Sequence, residues 1–187
     1  MSIDHLTPSS AGAAGPAQHA PGSGLIVRSA TADEAPALSA LAMRSKGWWG
    51  YSASFLRLCE AELTLSPEQA VQAVVVEVDG VVAGFHLLDG AGPVGELDML
   101  FVDPPFIGTG IGRILFEDAR RRAIGRGWTT MHIEADQQAR TFYERLGAEQ
   151  IGERLSASVP GHSQPLFAVT LRAPSGGGAA PRATYWR

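Results

Sequence analysis

Residues 102–116 read Val-Asp-Pro-Pro-Phe-Ile-Gly-Thr-Gly-Ile-Gly-Arg-Ile-Leu-Phe, and this stretch decides the fold. An apolar strand ends at the double proline, three alternate glycines follow, and an apolar helix begins. Glycines at every second position let the backbone approach a ligand closely, and the free N–H groups at the start of a helix favour an anion. The stretch therefore predicts a cradle for the pyrophosphate of a phosphorylated cofactor.

Two common nucleotide-binding loops do not fit this stretch. A Walker A loop needs a lysine directly after its last glycine, whereas the single lysine of the chain, Lys46, lies far upstream. The dinucleotide fingerprint needs a third glycine where Arg113 stands, although Glu134 lies at the downstream distance of a ribose-binding acid. The loop therefore gives only weak support to a dinucleotide-dependent oxidoreductase.

A second motif follows the glycine loop. Residues 136–148 read Asp-Gln-Gln-Ala-Arg-Thr-Phe-Tyr-Glu-Arg-Leu-Gly-Ala, which predicts a short helix with an adjacent Phe-Tyr pair and a glycine C-cap. The two motifs together resemble the acetyl-coenzyme A signature of the GNAT superfamily of N-acetyltransferases, Q/R-x-x-G-x-G/A followed by Phe-Tyr and Leu/Met-Gly. The resemblance covers Leu25 to Arg172. Ile107 stands where the family has Gln or Arg, and Gln138 where it often has Asn, so two side-chain contacts differ while the backbone cradle is kept.

The resemblance implies an α/β, GNAT-like fold with a central mixed sheet and helices on both faces. The order of apolar segments agrees with it. Strands are predicted at 25–29, 73–78, 81–88, 94–102, 129–135, 149–154 and 166–171, and helices at 31–44, 53–63, 111–124 and 138–146, with a short helical turn from Ser66. The transferase domain is expected to span 24–172, between a disordered arm (1–23) and a flexible tail (173–187).

Composition narrows the class of protein. A formal charge of -4 on 187 residues gives no support for a nucleic-acid partner, and no apolar run long enough to span a membrane is present. The lone Cys59 provides neither a disulfide framework nor a cysteine-based metal site, so no metal is predicted and a reducing, cytoplasmic location is expected. A homodimer is left open.

The resemblance implies which residues hold acetyl-CoA or coenzyme A, the expected co-substrate. The pyrophosphate is expected to bind backbone N–H groups of the loop, and the thioester to lie along the end of the 94–102 strand, where pairing with the next strand opens in the family. The expected cofactor-binding residues are Leu100, Phe101, Val102, Ile107, Gly108, Thr109, Gly110, Ile111, Gly112, Arg113, Gln138 and Tyr143.

Acetyl transfer to an amine needs a base for the ammonium proton and an acid for the leaving thiolate. Regular strand alternation places Glu96 and Asp98 on one face and Leu97, Met99 and Phe101 on the other. Two acids side by side on a central strand are candidates for moving a proton; the alternative is that one or both simply bind a neighbouring backbone group or arginine. Glu96 is the preferred base, and Asp98 is the alternative.

Tyr143 matches the family's tyrosine and is the expected acid. The alternative interpretation is a core aromatic, which suits Phe142 better because adjacent helical residues cannot both face the same core. A backbone N–H near Leu100 is the expected oxyanion donor. His86 is interpreted as a structural histidine and kept in reserve as a base.

The aromatic loop, residues 45–51, carries Trp48, Trp49 and Tyr51, which either wall the acceptor pocket, the preferred interpretation, or form a satellite core under the loop. The opposite wall is expected at the last strand turn, with an exposed His162. The predicted function is an N-acetyltransferase acting on a primary amine of a small molecule or peptide by direct attack in a ternary complex. The alternative is a non-catalytic acyl-coenzyme A-binding or regulatory module, since the cradle alone does not require turnover.

Overall fold

The computed structural model describes residues 24–171. The predicted arm and tail lie outside the described residues. Within them the strands are β1 Leu25–Ser29, β2 Val74–Val78, β3 Val81–Asp89, β4 Val94–Val102, β5 Thr130–Glu134, β6 Glu149–Leu155 and β7 Ser163–Thr170. The α-helices are α1 Ala35–Gly47, α2 Ala53–Cys59, α3 Pro67–Ala70, α4 Ile111–Gly125 and α5 Arg140–Arg145.

The strands form one sheet in the order β1-β2-β3-β4-β5-β7-β6. Every pair of neighbours is antiparallel except β4 and β5, which run parallel. Helix α1 packs on one face, where Leu38 and Leu41 join Phe85 in a buried core, and α4 packs on the other through Phe116 and Ala119. The predicted α/β fold with a mixed sheet and helices on both faces is confirmed.

Local sequence signals set most of the element boundaries. Asp79 and Gly80 have φ angles of 50° and 80°, as a two-residue hairpin turn between β2 and β3 requires. The Thr31 N–H donates to the Glu34 carboxylate at 2.8 Å, so the predicted capping box is present, but it opens a 3-10 turn (Ala32–Glu34) before α1 begins. Helix α1 continues past the predicted end to Gly47, and α2 stops at Cys59, short of its predicted end.

The predicted alternation along β4 is wrong because the strand carries a β-bulge. Leu88 pairs with Leu97 and Leu87 pairs with Met99, which leaves Asp98 as the extra residue. Leu97 consequently packs in the core beneath α4 and α5, whereas Met99 packs in the core beneath α1. A bulge shifts the phase of side chains by one residue, and the sequence pattern alone does not reveal it.

The parallel pairing of β4 with β5 is short. It joins Val94 to Thr130, Gly95 to Met131 and Glu96 to His132, and it stops there although β4 continues to Val102. The sheet therefore opens between the two strands beyond Glu96, next to the bulge that bends β4. The candidate active site lies at this opening.

Candidate active site

The glycine loop leads from β4 into α4 and presents a row of unpaired donors. Gly108 and Gly110 have φ angles of 82° and 96°, which side-chain-bearing residues rarely adopt. The Thr109 N–H and Oγ1 both bond the Phe106 carbonyl, at 3.3 and 2.7 Å, and hold the turn. Within the described residues, the N–H groups of Gly108, Gly110, Ile111 and Gly112 donate no hydrogen bond. Four free donors at a helix start suit a bound anion, as the sequence predicts for this loop.

A cavity of about 730 Å³ joins this loop to the opening between β4 and β5. It is lined by most of the residues singled out from the sequence: Glu96, Asp98, Leu100, Phe101, Val102, Ile107, Gly108, Gly110, Gly112, Arg113, Gln138, Tyr143 and Trp49. Thr109, Ile111, Trp48, Tyr51 and His162 do not line it. The structure thus brings the two motifs and the paired acids of β4 to one cavity.

Backbone hydrogen bonds determine which N–H groups of β4 face the opening. The Asp103 N–H bonds the Ala83 carbonyl at 2.9 Å, continuing the β3–β4 ladder. Because bonded pairs alternate along antiparallel strands, Phe101 points its N–H at β3 while Leu100 and Val102 point theirs away from it. No β5 residue pairs with β4 at that level. The Leu100 N–H, expected as an oxyanion donor, therefore faces the opening.

Tyr143 has its ring in the core and lines the cavity. Only 6% of the residue is exposed, and the ring packs against Phe116, Phe142 and Phe167. Its hydroxyl makes no hydrogen bond to any described residue. Burial, helped by the charge of Asp136, raises the pKa of the phenol, so the hydroxyl keeps its proton at neutral pH. The two interpretations of Tyr143, core aromatic and proton donor, are therefore compatible. The expectation that Phe142 suits the core better is wrong, because Tyr143 is the more buried of the two and both pack in the same cluster.

The two acids of β4 have different surroundings. Arg154 of β6 donates Nη2 to Glu96 Oε1 at 3.0 Å and Nη1 to Glu134 Oε2 at 3.3 Å. Glu96 Oε2 has no hydrogen-bond partner in the described chain, and neither does the Asp98 carboxylate, which is exposed at the bulge. Desolvation by the surrounding protein, with repulsion from Asp89 and Glu96, raises the pKa of Asp98.

The aromatic loop divides between the solvent and a second layer behind the cavity. Trp48 is 58% exposed, and only Trp49 of the predicted aromatics lines the cavity. Tyr51 stacks on Phe55 with ring centroids 4.4 Å apart, and its hydroxyl donates to Asp136. His162 packs edge-on against Phe55 at 5.4 Å and is half-buried, so the expectation of an exposed His162 is wrong.

Several cavity residues were not found from the sequence. Lys46 is only 7% exposed, its Nζ lies 3.4 Å from Asp136 Oδ2, and it lies 5.8 Å from the ring centres of Tyr51 and Phe55. Glu62 and Arg154 also line the cavity. A single lysine near the end of a predicted helix was a usable signal for Lys46. Glu62 and Arg154 contact residues that are distant from them in sequence, so no local sequence signal indicated them.

His86 lies outside the cavity. It is 1% exposed, and its Nε2 lies 3.0 Å from Asp118 Oδ2 of α4. Arg121 and Arg122 donate to the same carboxylate at 2.9 and 2.6 Å. Burial acts to raise the pKa of Asp118, but hydrogen bonds from His86 and Arg122 outweigh it and lower the pKa to about 2. This arrangement fits the structural interpretation of His86.

The described part of the chain holds no group of three or more His, Cys, Asp or Glu side chains arranged to bind a metal ion. None of its helices has the length and apolar character needed to cross a bilayer.

The family follows from a direct comparison. A family model described as an acetyltransferase (GNAT) domain matches residues 51–158, more than half of the 187-residue chain. The chain therefore belongs to the GNAT acetyltransferase family. The matched range includes β4, the glycine loop and α5, which line much of the cavity.

Similar proteins agree with this assignment. A mycothiol acetyltransferase of Nocardiopsis dassonvillei is 40% identical over 81 residues, covering 37% of this chain and 24% of the relative. A peptidyl-lysine N-acetyltransferase of Salmonella typhimurium is 37% identical over 86 residues, covering 46% of this chain and 54% of the relative. The matches thus span a quarter to about half of these curated relatives.

A solved structure shares the fold. The PaiA N-acetyltransferase of Thermoplasma acidophilum, solved in complex with coenzyme A, superposes with a TM-score of 0.66 at 19% identity. The superposition covers 79% of this chain and 99% of that one.

Proposed function

We propose that this protein is an N-acetyltransferase that moves an acetyl group from acetyl-CoA to a primary amine of a small molecule or peptide, by direct attack in a ternary complex. One observation carries the proposal. A single cavity joins a loop of free N–H donors to the Tyr143 hydroxyl and to the carboxylates at the β4–β5 opening. The names of the curated relatives, both acetyltransferases, support it.

The cavity has groups suited to both ends of coenzyme A. Free N–H groups of Gly108, Gly110, Ile111 and Gly112 suit a pyrophosphate, and Arg113 adds a positive charge beside them. The outward N–H groups of Leu100 and Val102 suit the amide-containing arm and the acyl carbonyl. When bound, acetyl-CoA supplies an activated acetyl group as a thioester.

Side chains of the protein move the two protons. The Oε2 of Glu96 has no hydrogen-bond partner among the described residues, so it accepts the ammonium proton directly or through a water, while Arg154 holds Oε1 and orients the carboxylate. Asp98 is the alternative base. The Tyr143 hydroxyl, kept protonated by burial, donates its proton to the leaving sulfur. The Leu100 N–H stabilises negative charge on the carbonyl oxygen.

A cytoplasmic location and an acceptor other than a nucleic acid or a membrane belong to the same proposal. The lone Cys59 and the formal charge of -4 support them.

Amine-dependent thiol release from acetyl-CoA, with mass spectrometry of the product, tests this function. We expect thiol release only when an amine is present, together with an amine that is heavier by one acetyl group. Tight coenzyme A binding without release across amines, amino acids and peptides would instead identify the non-catalytic module.

A further inference from the structure

The cavity carries opposite charge at its two ends. Outside the glycine loop, five carboxylates and two cations line it: Glu62, Glu96, Asp98, Glu134 and Asp136, with Lys46 and Arg154. This is an excess of three negative charges. At the loop end, by contrast, the free N–H groups and Arg113 favour an anion. A low-dielectric cleft focuses such a field on the ligand that it admits.

Internal ion pairs leave part of this negative charge without a partner. Lys46 pairs with Asp136, and Arg154 is shared between Glu96 and Glu134. Glu62 accepts a hydrogen bond from the Ser158 hydroxyl and has no cation partner in the described chain. Burial raises the pKa of the Glu134 carboxyl, and repulsion from Glu62 and Glu96 adds to this effect against the pull of Arg154.

A second, independent feature points to a ligand in the same cavity. The Tyr143 hydroxyl belongs to a residue that is 6% exposed, lines the cavity and has no hydrogen-bond partner in residues 24–171. This hydroxyl borders the cavity and is free to bond a ligand or water there.

The acceptor end is also closed on two sides. The Ser158–Glu62 hydrogen bond ties the β6–β7 connection to the segment after α2, and Leu63 and Ala157 beside these residues line the cavity. Two walls that meet in this way suit a small molecule better than a folded protein surface.

We propose that the acceptor is a small organic polycation, which carries at least one ammonium group besides the amine that is acetylated. This inference rests on the proposed function. The reacting amine gives its proton to one of these carboxylates, which cancels one of the three excess negative charges and leaves two unbalanced. A second ammonium group remains charged and binds Glu62 and Glu134.

Kinetics with matched amines test this inference. We compare kcat/KM for 1,4-diaminobutane and spermidine with that for n-butylamine, which has the same chain length as the diamine but no second charge, and for a lysine-containing peptide. We expect the polyamines to exceed n-butylamine at least about tenfold, since the second ammonium group gains charge-assisted hydrogen bonds that n-butylamine does not make. Equal use of n-butylamine, or preference for the peptide, would overturn the inference.

A variant pair localises the effect. Glu62→Gln keeps the acceptor for Ser158 but removes the charge, and it should raise KM for spermidine at least about fivefold and by more than it raises KM for n-butylamine. The control, Glu60→Gln, changes an exposed carboxylate of the same segment that does not line the cavity, and should leave KM unchanged. An unchanged KM in Glu62→Gln would contradict the inference.

Calorimetry separates this inference from the proposed function. We expect spermidine to bind the protein–coenzyme A complex more weakly as salt rises, and to bind Glu62→Gln more weakly than the unaltered protein. Binding without any turnover would overturn only the acetyl transfer. Absence of spermidine binding would overturn the inference that the acceptor is a polycation, even if other amines are acetylated.

Discussion

Gly112 of the glycine loop and Phe142 of the second motif are in van der Waals contact. A Cβ on Gly112 would lie 3.3 Å from two carbons of the Phe142 ring, so only glycine gives the ring its full space. Phe142 in turn packs against Tyr143 at a centroid distance of 5.0 Å. The two motifs are therefore one packed unit, in which the start of α4 positions the tyrosine that faces the cavity.

Gly110 has a different role, which a matched pair of variants can test. A Cβ there would meet no protein atom within 4 Å, but the φ angle of 96° strains any other residue and the side chain would enter the phosphate's approach. We expect Gly110→Ala to weaken coenzyme A binding at least tenfold, about 1.4 kcal/mol, by calorimetry. Gly127→Ala has a similar φ of 83° and open surroundings away from the cavity, and should bind normally. Equal affinities in both variants would contradict the cradle.

The proposed base predicts a pH-dependent loss of turnover. Removing a general base typically lowers turnover by roughly 10²–10⁴-fold, so Glu96→Gln should be strongly impaired at neutral pH with coenzyme A affinity retained. The loss should shrink at high pH, where the amine is already neutral. If Asp98→Asn shows this profile and Glu96→Gln does not, the exposed bulge carboxylate is the base.

The sequence predicted the sheet and the loop because their signals are local. Alternating glycines, the Asp79-Gly80 turn and the capping boxes each depend on a few adjacent residues. The bulge at Asp98 and the end of pairing at Glu96 depend on neighbouring strands, so no periodicity revealed them. The residues of the glycine loop and of the Phe-Tyr motif could be recognised because each motif is a short run of adjacent residues.

The acceptor end was harder to predict because it is built from contacts between distant segments. Arg154 and Glu96 are 58 residues apart, and Ser158 and Glu62 are 96 apart. The aromatic run of residues 48–51 suggested a cavity wall, but Tyr51 instead packs on Phe55 in the second layer. Long-range packing decided which aromatics lie against the cavity.

Close packing at Gly95 of β4 predicts a loss of stability. A Cβ there would lie 2.2 Å from the ring of Trp128, a residue only 3% exposed, so Gly95→Ala must displace the indole. Overpacking of this kind costs roughly 1–3 kcal/mol in the free energy of unfolding, measurable by urea denaturation. Gly152→Ala in strand β6 meets no atom within 4 Å and serves as the control. Unaltered stability of Gly95→Ala would contradict the packing.

The buried Asp118 predicts a specific acid sensitivity. Its pKa is lowered to about 2, against roughly 4 in an unfolded chain, so its stabilising effect is complete above pH 4 and is lost as the pH falls towards 2. Asp118→Asn, which weakens the hold on His86, should reduce the free energy of unfolding at pH 7 by on the order of 2 kcal/mol and much less near pH 2.

The neighbouring half-exposed Glu117, whose single ion pair within residues 24–171 is with Arg120 at 3.6 Å, provides the control. Glu117→Gln should change the free energy of unfolding by less than about 1 kcal/mol. A loss in Asp118→Asn that stays constant from pH 7 to pH 2 would contradict the assigned charge.

The most direct test of acetyl transfer is amine-dependent thiol release by Tyr143→Phe beside the unaltered protein. The substitution removes a hydroxyl that bonds no described residue, so the fold and coenzyme A affinity should be retained. Loss of a general acid should lower turnover by roughly 10²–10⁴-fold. Wild-type turnover in Tyr143→Phe would contradict the role of the hydroxyl, and absence of amine-dependent release from the unaltered protein would contradict acetyl transfer itself.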